Sequence, residues 1–161
     1  MPKAGIQFSK KDEWHTPKEV VNFFGPFDYD PATTKEQAEY LGIPNYDTIE
    51  TDGLNQVWGY WSKIWVNPPF TKKFLFLDKA VRTMAAADPT ICFLMPIESI
   101  TTKAFHKIIG SCPYNMWVPN GRIKFDDGSG KNSSPAFGSV VLELDHRIKE
   151  TRIIPWRLYD D

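Results

Sequence analysis

The chain has 161 residues, the usual size of one compact domain, so one core with no second module is expected. Apolar residues at 42% and charged residues at 24% exclude a disordered chain, and no apolar run approaches the roughly 20 residues of a membrane helix. A net charge of −1 excludes a uniformly basic nucleic-acid coat, although the first 60 residues carry −5 and the rest +4, which leaves room for a basic face in the second half.

Taken in chain order, residues 1–11 read as a mobile arm, and MPKAGIQFSKKDEW lacks the apolar stretch of a secretion signal. The expectation is a soluble, cytoplasmic protein. Thr16-Pro17-Lys18-Glu19 has the form of a capping box, with Thr16 as N-cap, and predicts a helix ending at Gly25-Pro26. Phe27–Asp30 alternates apolar and acidic residues, as a short strand does, and Pro31 stops it. Thr33 or Thr34 then caps a short helix through Tyr40, closed by Gly42. Residues 43–62 read as loops with a weak strand or turn near Thr48–Leu54.

The second half is more regular. Lys63–Val66 is a strand that runs into Asn67-Pro68-Pro69-Phe70, and Thr71–Ala87 is a helix with Phe74, Leu77, Val81 and Met84 on one face. Thr90–Met95 is a doubly buried strand, Thr102–Ile109 a helix, and Tyr114–Val118 a further strand. Gly121–Phe125 and Phe137–Leu144 predict a terminal hairpin around a polar loop. This order predicts an α/β domain, a mainly parallel sheet with a C-terminal antiparallel hairpin at its edge. Ligands of such sheets bind beyond the C-terminal strand ends, where Asp30-Pro31-Ala32 and Asn67–Phe70 fall.

Negative findings narrow the chemistry. Cys92 and Cys112 are too few for a disulfide scaffold and read as buried free thiols. His15, His106 and His146 are scattered, so no zinc site is expected, and neither a P-loop nor GxGxxG occurs. Aromatics at 14% point to a dense core or to flat surfaces for flat ligands; Trp58, Trp61, Trp117 and Trp156 are assigned to packing.

Asn67-Pro68-Pro69-Phe70 is the sharpest signal. Two prolines fix two φ angles near −65°, bias Asn67 away from helical geometry and remove two amide donors. The result is a rigid corner presenting an amide oxygen, a backbone oxygen and a ring. Two convergent acceptors suit an –NH2 group, and the ring suits a planar base. An exocyclic amine is a poor nucleophile because its lone pair is delocalised into the ring; accepting both N–H bonds turns that pair toward an electrophile. A strand-ending turn with a core ring is the structural alternative for these four residues.

With the segments Glu13-Trp14-His15-Thr16-Pro17, Phe27-Asp28-Tyr29-Asp30-Pro31-Ala32, Glu50-Thr51-Asp52-Gly53-Leu54, Val66–Phe70, Gly121-Arg122-Ile123-Lys124-Phe125 and Pro135-Ala136-Phe137-Gly138, the chain resembles the phage and prophage Dam-type DNA adenine-N6 methyltransferases over roughly residues 12–144. The resemblance implies a Rossmann-like methyltransferase fold, S-adenosylmethionine as cofactor and double-stranded DNA as partner, with the target base flipped out. It implies that Asn67 and the Pro68 carbonyl hold the target amine, that Pro69 sets the corner, and that Phe70 stacks on the base. It places Asp30, with Pro31 and Ala32, at the methionine end of the cofactor, Thr16 and Pro17 in the same pocket, Asp52 near the adenosine part, and Asn67 between cofactor and base. Lys72, Lys73, Arg122 and Lys131 are the candidate contacts to the nucleic acid. Where many methyltransferases carry a Gly-rich loop after the first strand, Asp30-Pro31-Ala32-Thr33-Thr34 stands instead.

Other readings of the same motif remain open: methylation of cytosine N4, of RNA adenine or of a protein glutamine amide, and non-catalytic binding on the same fold. The recognition sequence is also open, with GATC the natural candidate; loops near 33–62, 71–74 and 126–135 would read it. A monomer and a homodimer are both compatible with the chain.

Overall fold

The computed structural model describes residues 15–126, 132–133 and 137–160. The expected arm over residues 1–11 lies outside the described residues, as do Trp14, Lys131, Pro135, Ala136 and most of the 126–135 loop.

The chain begins with helix α1 (Lys18–Phe24), followed by strand β1 (Tyr29–Asp30), helix α2 (Lys35–Leu41) and strand β2 (Asn45–Tyr46). Strand β3 (Lys63–Val66) leads through a 3-10 turn over Phe70–Lys72 into helix α3 (Lys73–Ala87), then strand β4 (Thr90–Pro96) and helix α4 (Lys103–Ile109). Strand β5 (Asn115–Pro119), a short ribbon of β6 (Phe125–Asp126) with β7 (Asn132–Ser133), β8 (Ser139–Leu144) and β9 (Arg152–Trp156) complete it. The main sheet has seven strands in the order β2-β1-β3-β4-β8-β5-β9.

Side-chain alternation explains why this sheet is buried on both faces. Ile64 and Val66 of β3, Ile91, Phe93 and Met95 of β4, and Val140, Leu142 and Leu144 of β8 join one core with α3 and α4. The residues between them, Trp65, Cys92, Leu94 and Val141, face a second core with Val20, Val21 and Phe24 of α1 and Leu41 of α2. The two layers of helices thus cover a nearly continuous apolar sheet, as parallel sheets require. The tryptophans assigned to packing do pack: Trp58 and Trp156 are buried, and Trp61 stacks on Tyr29.

The α/β class and the mainly parallel sheet hold, and three local expectations are corrected. First, the antiparallel strand is not at the edge. β8 runs between β4 and β5, pairing antiparallel with each, while β9 forms the edge parallel to β5. Six strands therefore share one direction and β8 alone is reversed. Second, α3 starts at Lys73 rather than Thr71, and it buries Phe76, Leu77, Ala80 and Met84, with Phe74 and Val81 only partly covered. Small Ala80 lets the helix lie close to the sheet, turning the buried stripe toward Phe76. Third, Thr16 does not cap α1. Pro17 occupies the N-cap position without a side-chain hydrogen bond, and the Thr16 hydroxyl is used elsewhere. Of the two candidates for the next cap, Thr34 takes the role and accepts from Gln37 N at 3.1 Å, while Thr102, expected as the first residue of its helix, stands just outside it as the N-cap and accepts from Phe105 N at 3.1 Å. Among the described residues, no helix is long and apolar enough to cross a membrane.

Candidate active site

Chain order alternates sides at β1: β2 lies on one flank and β3 on the other. The crevice beyond such a switch point is the natural ligand site of an open α/β sheet. At the opposite end of these strands the Asp28 carboxylate accepts from Ser62 N and Lys63 N, each at 2.9 Å, tying the approach to β1 onto the start of β3 and so fixing the two strands against each other. A cavity of about 470 Å³ opens in the crevice, within the usual range for small-molecule sites. Its walls are the segment after β1 (Asp30–Thr34), the first turn of α2, residues 48–50, Asp52–Leu54, and His15, Thr16, Asn67, Pro69 and Lys72.

Asp30 is the chemically unusual group of this cavity. It is 2% exposed, and burial pushes its carboxyl up to about 7 against the opposing hydrogen bond from Ala32 N at 2.9 Å. Among the described residues, no cation contributes to holding its charge. Beside it, the Tyr29 hydroxyl donates to Asp47, and burial first, then this bond, raises the phenol far above its ordinary value. A buried carboxyl facing a cavity favours a ligand that brings positive charge.

Asp52 has a mixed role. It lines the cavity, yet its carboxylate accepts from Leu54 N at 3.2 Å and from Asn55 Nδ2 at 2.7 Å, capping the 3-10 turn Gly53–Asn55 from a left-handed φ of 55°. The glycine that matters follows it. A Cβ on Gly53 would lie 1.8 Å from the Pro31 carbonyl oxygen, so the two loops that wall the cavity approach as only glycine allows. The Trp58 indole N–H donates to the Gly53 carbonyl at 2.8 Å and fixes the loop from below. The close-approach glycine absent after β1 is thus supplied by the facing loop. Gly53→Ala is expected to spread these loops, costing about 1–3 kcal/mol of stability as overpacking does. A lowered melting temperature and a cavity-ligand affinity reduced by about tenfold or more, read by calorimetry, check it.

The Pro-Pro corner stands at the end of β3. Pro68 is buried, Asn67 half-buried and Phe70 exposed. Asn67 Nδ2 donates to Thr16 Oγ1 at 2.9 Å, and the Thr16 carbonyl accepts from Gln37 Nε2 at 3.0 Å. On the far side of Asn67 a smaller hollow of about 30 Å³ is lined by Asn67, Pro68, Phe70, Lys73, Met95, Pro96, Phe125 and Phe137 among others. The Phe70 and Phe137 rings stand 6.1 Å apart, tilted by 41°, and Lys73 Nζ lies 3.9 Å from the Phe70 centroid. Asn67 therefore lines both hollows.

The structure brings together most of the residues singled out from sequence. Thr16, Asp30, Pro31, Ala32, Asp52, Asn67, Pro69 and Lys72 meet at the large cavity; Asn67, Pro68, Phe70 and Lys73 meet at the small one. Pro17 starts α1 and lines neither, and Arg122 is exposed and lines neither. Lys131 lies outside the described residues. Sequence reasoning missed His15, Gln37 and Phe76 at the large cavity and Met95, Pro96 and Ser139 at the small one. Only the ends of predicted strands, at Asp30 and after Met95, offered a signal.

Comparison with known proteins identifies the family. The family model described as DNA N-6-adenine-methyltransferase (Dam) matches residues 3–157. A DNA N-6-adenine-methyltransferase of Escherichia phage T1 is 30% identical over 169 residues, which cover 90% of this chain and 69% of that protein. Among solved structures, a Listeria monocytogenes protein described as a class I S-adenosylmethionine-dependent methyltransferase aligns with a TM-score of 0.46 at 13% identity. That alignment covers 81% of this chain and 50% of the Listeria protein, so the chain spans half the length of that structure. The family match runs through both cavity-lining loops and the Pro-Pro corner, and on it the chain belongs to the Dam family of DNA N-6-adenine methyltransferases.

Proposed function

We propose that the chain methylates the N6 amine of adenine in double-stranded DNA at the Asn67–Phe70 corner, with the methyl donor in the cavity over Asp30 and the flipped base in the hollow beside Phe70. The observation that supports this reading is the position of Asn67, which lines both hollows. The residues present fit S-adenosylmethionine: the cavity is of small-molecule size, and its buried carboxyl has no cation of its own among the described residues. When bound, that donor supplies an electrophilic methyl on a sulfonium sulfur and departs as a neutral thioether.

The rest falls to the chain. Asn67 Oδ1 and the Pro68 carbonyl accept the two N–H bonds of the amine, drawing its lone pair out of conjugation and toward the donor cavity; the nitrogen, cationic once methylated, then releases one of those two protons to water. Pro69 holds the backbone so that both acceptors keep their direction. Phe70 presents its ring to the base, with the Lys73 ammonium 3.9 Å from the centroid of that ring. Asp30 receives the positive end of the donor. Lys72, Lys73, Arg122 and Lys131 supply cations for the DNA backbone. The small hollow has room for little more than a water, and a base between two rings needs roughly 7 Å from ring to ring, so Phe70 and Phe137 part when the base enters. Asn67 itself need not move.

A radiolabelled-methyl assay on DNA, RNA and protein, followed by nucleoside analysis, tests the proposal. Label recovered as N6-methyladenine from duplex DNA is the expected result. Label in cytosine, in RNA or on glutamine would overturn it.

A further inference from the structure

The corner is not held by its prolines alone. The prolines fix the main chain of residues 68 and 69 but do not set the side-chain torsions of Asn67, and its amide must present oxygen, not nitrogen, to an amine. Turned over, it would set N–H against N–H and lose one of the two acceptors on which the reaction depends. In the structure the Nδ2 end is engaged, donating to the Thr16 hydroxyl at 2.9 Å, which turns Oδ1 away from Thr16.

Thr16 is well suited to this and is not needed for capping. It is 3% exposed, so water does not compete for its hydroxyl, and α1 takes Pro17 as its N-cap with no help from a side chain. Its main chain is pinned in turn, because Gln37 Nε2 donates to the Thr16 carbonyl at 3.0 Å from the first turns of α2. The start of α2 is itself fixed by the Thr34 cap. The path Gln37–Thr16–Asn67 thus crosses the mouth of the large cavity and joins three segments far apart in sequence.

We propose that Thr16 is a positioning residue for catalysis: it accepts from Asn67 Nδ2 and so aims Oδ1 at the target amine, while Gln37 holds Thr16 in register. This rests on the reading of Asn67 as the amine-gripping residue, and it moves the main duty of Thr16 from the donor to the corner. A residue that only bound the donor would act through donor affinity; a residue that aims Asn67 acts on the rate of transfer once both reactants are bound.

The test compares Thr16→Val, Thr16→Ser and Gln37→Leu under saturating donor and DNA, with donor affinity measured separately by calorimetry. Valine is nearly isosteric and removes only the hydroxyl; it is expected to lower kcat by about 10²-fold, the scale of a misplaced reactive group, and to leave donor Kd within about threefold. Serine restores the acceptor and is expected to return kcat to within about threefold of the parent. Gln37→Leu, the second route to the same effect should Thr16→Val fold poorly, is expected to lower kcat by about fivefold to tenfold. A Thr16→Val enzyme with parental kcat, a loss confined to donor affinity, or a serine variant as slow as the valine would overturn the proposal. Failure is separable from failure of the corner itself. An active Asn67→Ala enzyme removes the corner, whereas an inactive Asn67→Ala beside a fully active Thr16→Val removes only the relay.

Discussion

Asn67→Ala is expected to abolish methyl transfer, lowering the single-turnover rate by about 10³-fold or more while donor affinity stays within a few-fold of the parent. The amide stands between the two hollows, half-buried, with its nitrogen engaged by Thr16. Truncation leaves the Pro68 carbonyl as the single acceptor of the corner, so the amine stays planar and its lone pair remains delocalised into the ring. The donor cavity loses one of many wall residues, which is why binding survives. The fold survives too, since neither the buried strand residues Ile64–Val66 nor the prolines change. Single-turnover transfer with labelled donor, donor calorimetry and a melting curve together read this out. Transfer at the parental rate would remove the corner from the mechanism.

Asp30→Asn is expected to separate stability from function. The Asp30 carboxyl sits near 7 in the folded chain because of burial, against an ordinary value near 4 in the unfolded one. Between those values the folded state holds a proton that the unfolded state has lost, so the parent loses stability as pH rises through that window and levels off above about 7. Asparagine removes the slope. Relative to the parent, the variant gains about 1.4 kcal/mol per pH unit within the window, partly offset by a buried amide N–H in need of a partner. Donor affinity moves oppositely. In the parent it rises as pH increases through about 7, because the cationic end of the donor is drawn to the ionised carboxylate; in the variant it is weak and flat. Melting curves and donor titrations from about pH 5.5 to 8 give both slopes. Parallel pH profiles for parent and variant would mean that Asp30 is not the titrating group.

The corner was legible in the sequence because prolines encode backbone geometry locally, and no tertiary contact was needed to deduce its shape. Strands β3 and β4 were legible for a related reason: Ile64–Val66 and Ile91–Met95 are apolar on both faces, which only a sheet covered twice accommodates. The place of β8 was not, because strand order is decided by which neighbours bury Val140, Leu142 and Leu144 best, and those neighbours lie on β4 and β5. Strand β9 was missed because an edge strand with Ile153 at 68% exposure carries no burial pattern to read. Thr16 misled instructively. A threonine before Pro-Lys-Glu satisfies every local rule for a cap, yet its hydroxyl serves a partner 51 residues away. A local motif can be complete in sequence and still be spent on a distant contact.

The reversed strand has an architectural consequence. The chain leaves the sheet at Pro119 and re-enters at Ser139, which pairs with Pro96, so departure and return occur at the one end where β3 and β4 also finish. Arg122 follows the first of these points and Phe137 precedes the second, where its ring helps line the small hollow beside Phe70. The span between them is not interchangeable throughout, because Ile123 and Phe125 are buried in the second core and Phe125–Asp126 pairs with Asn132–Ser133, so any exchange between related enzymes has to carry those core residues and that ribbon with it.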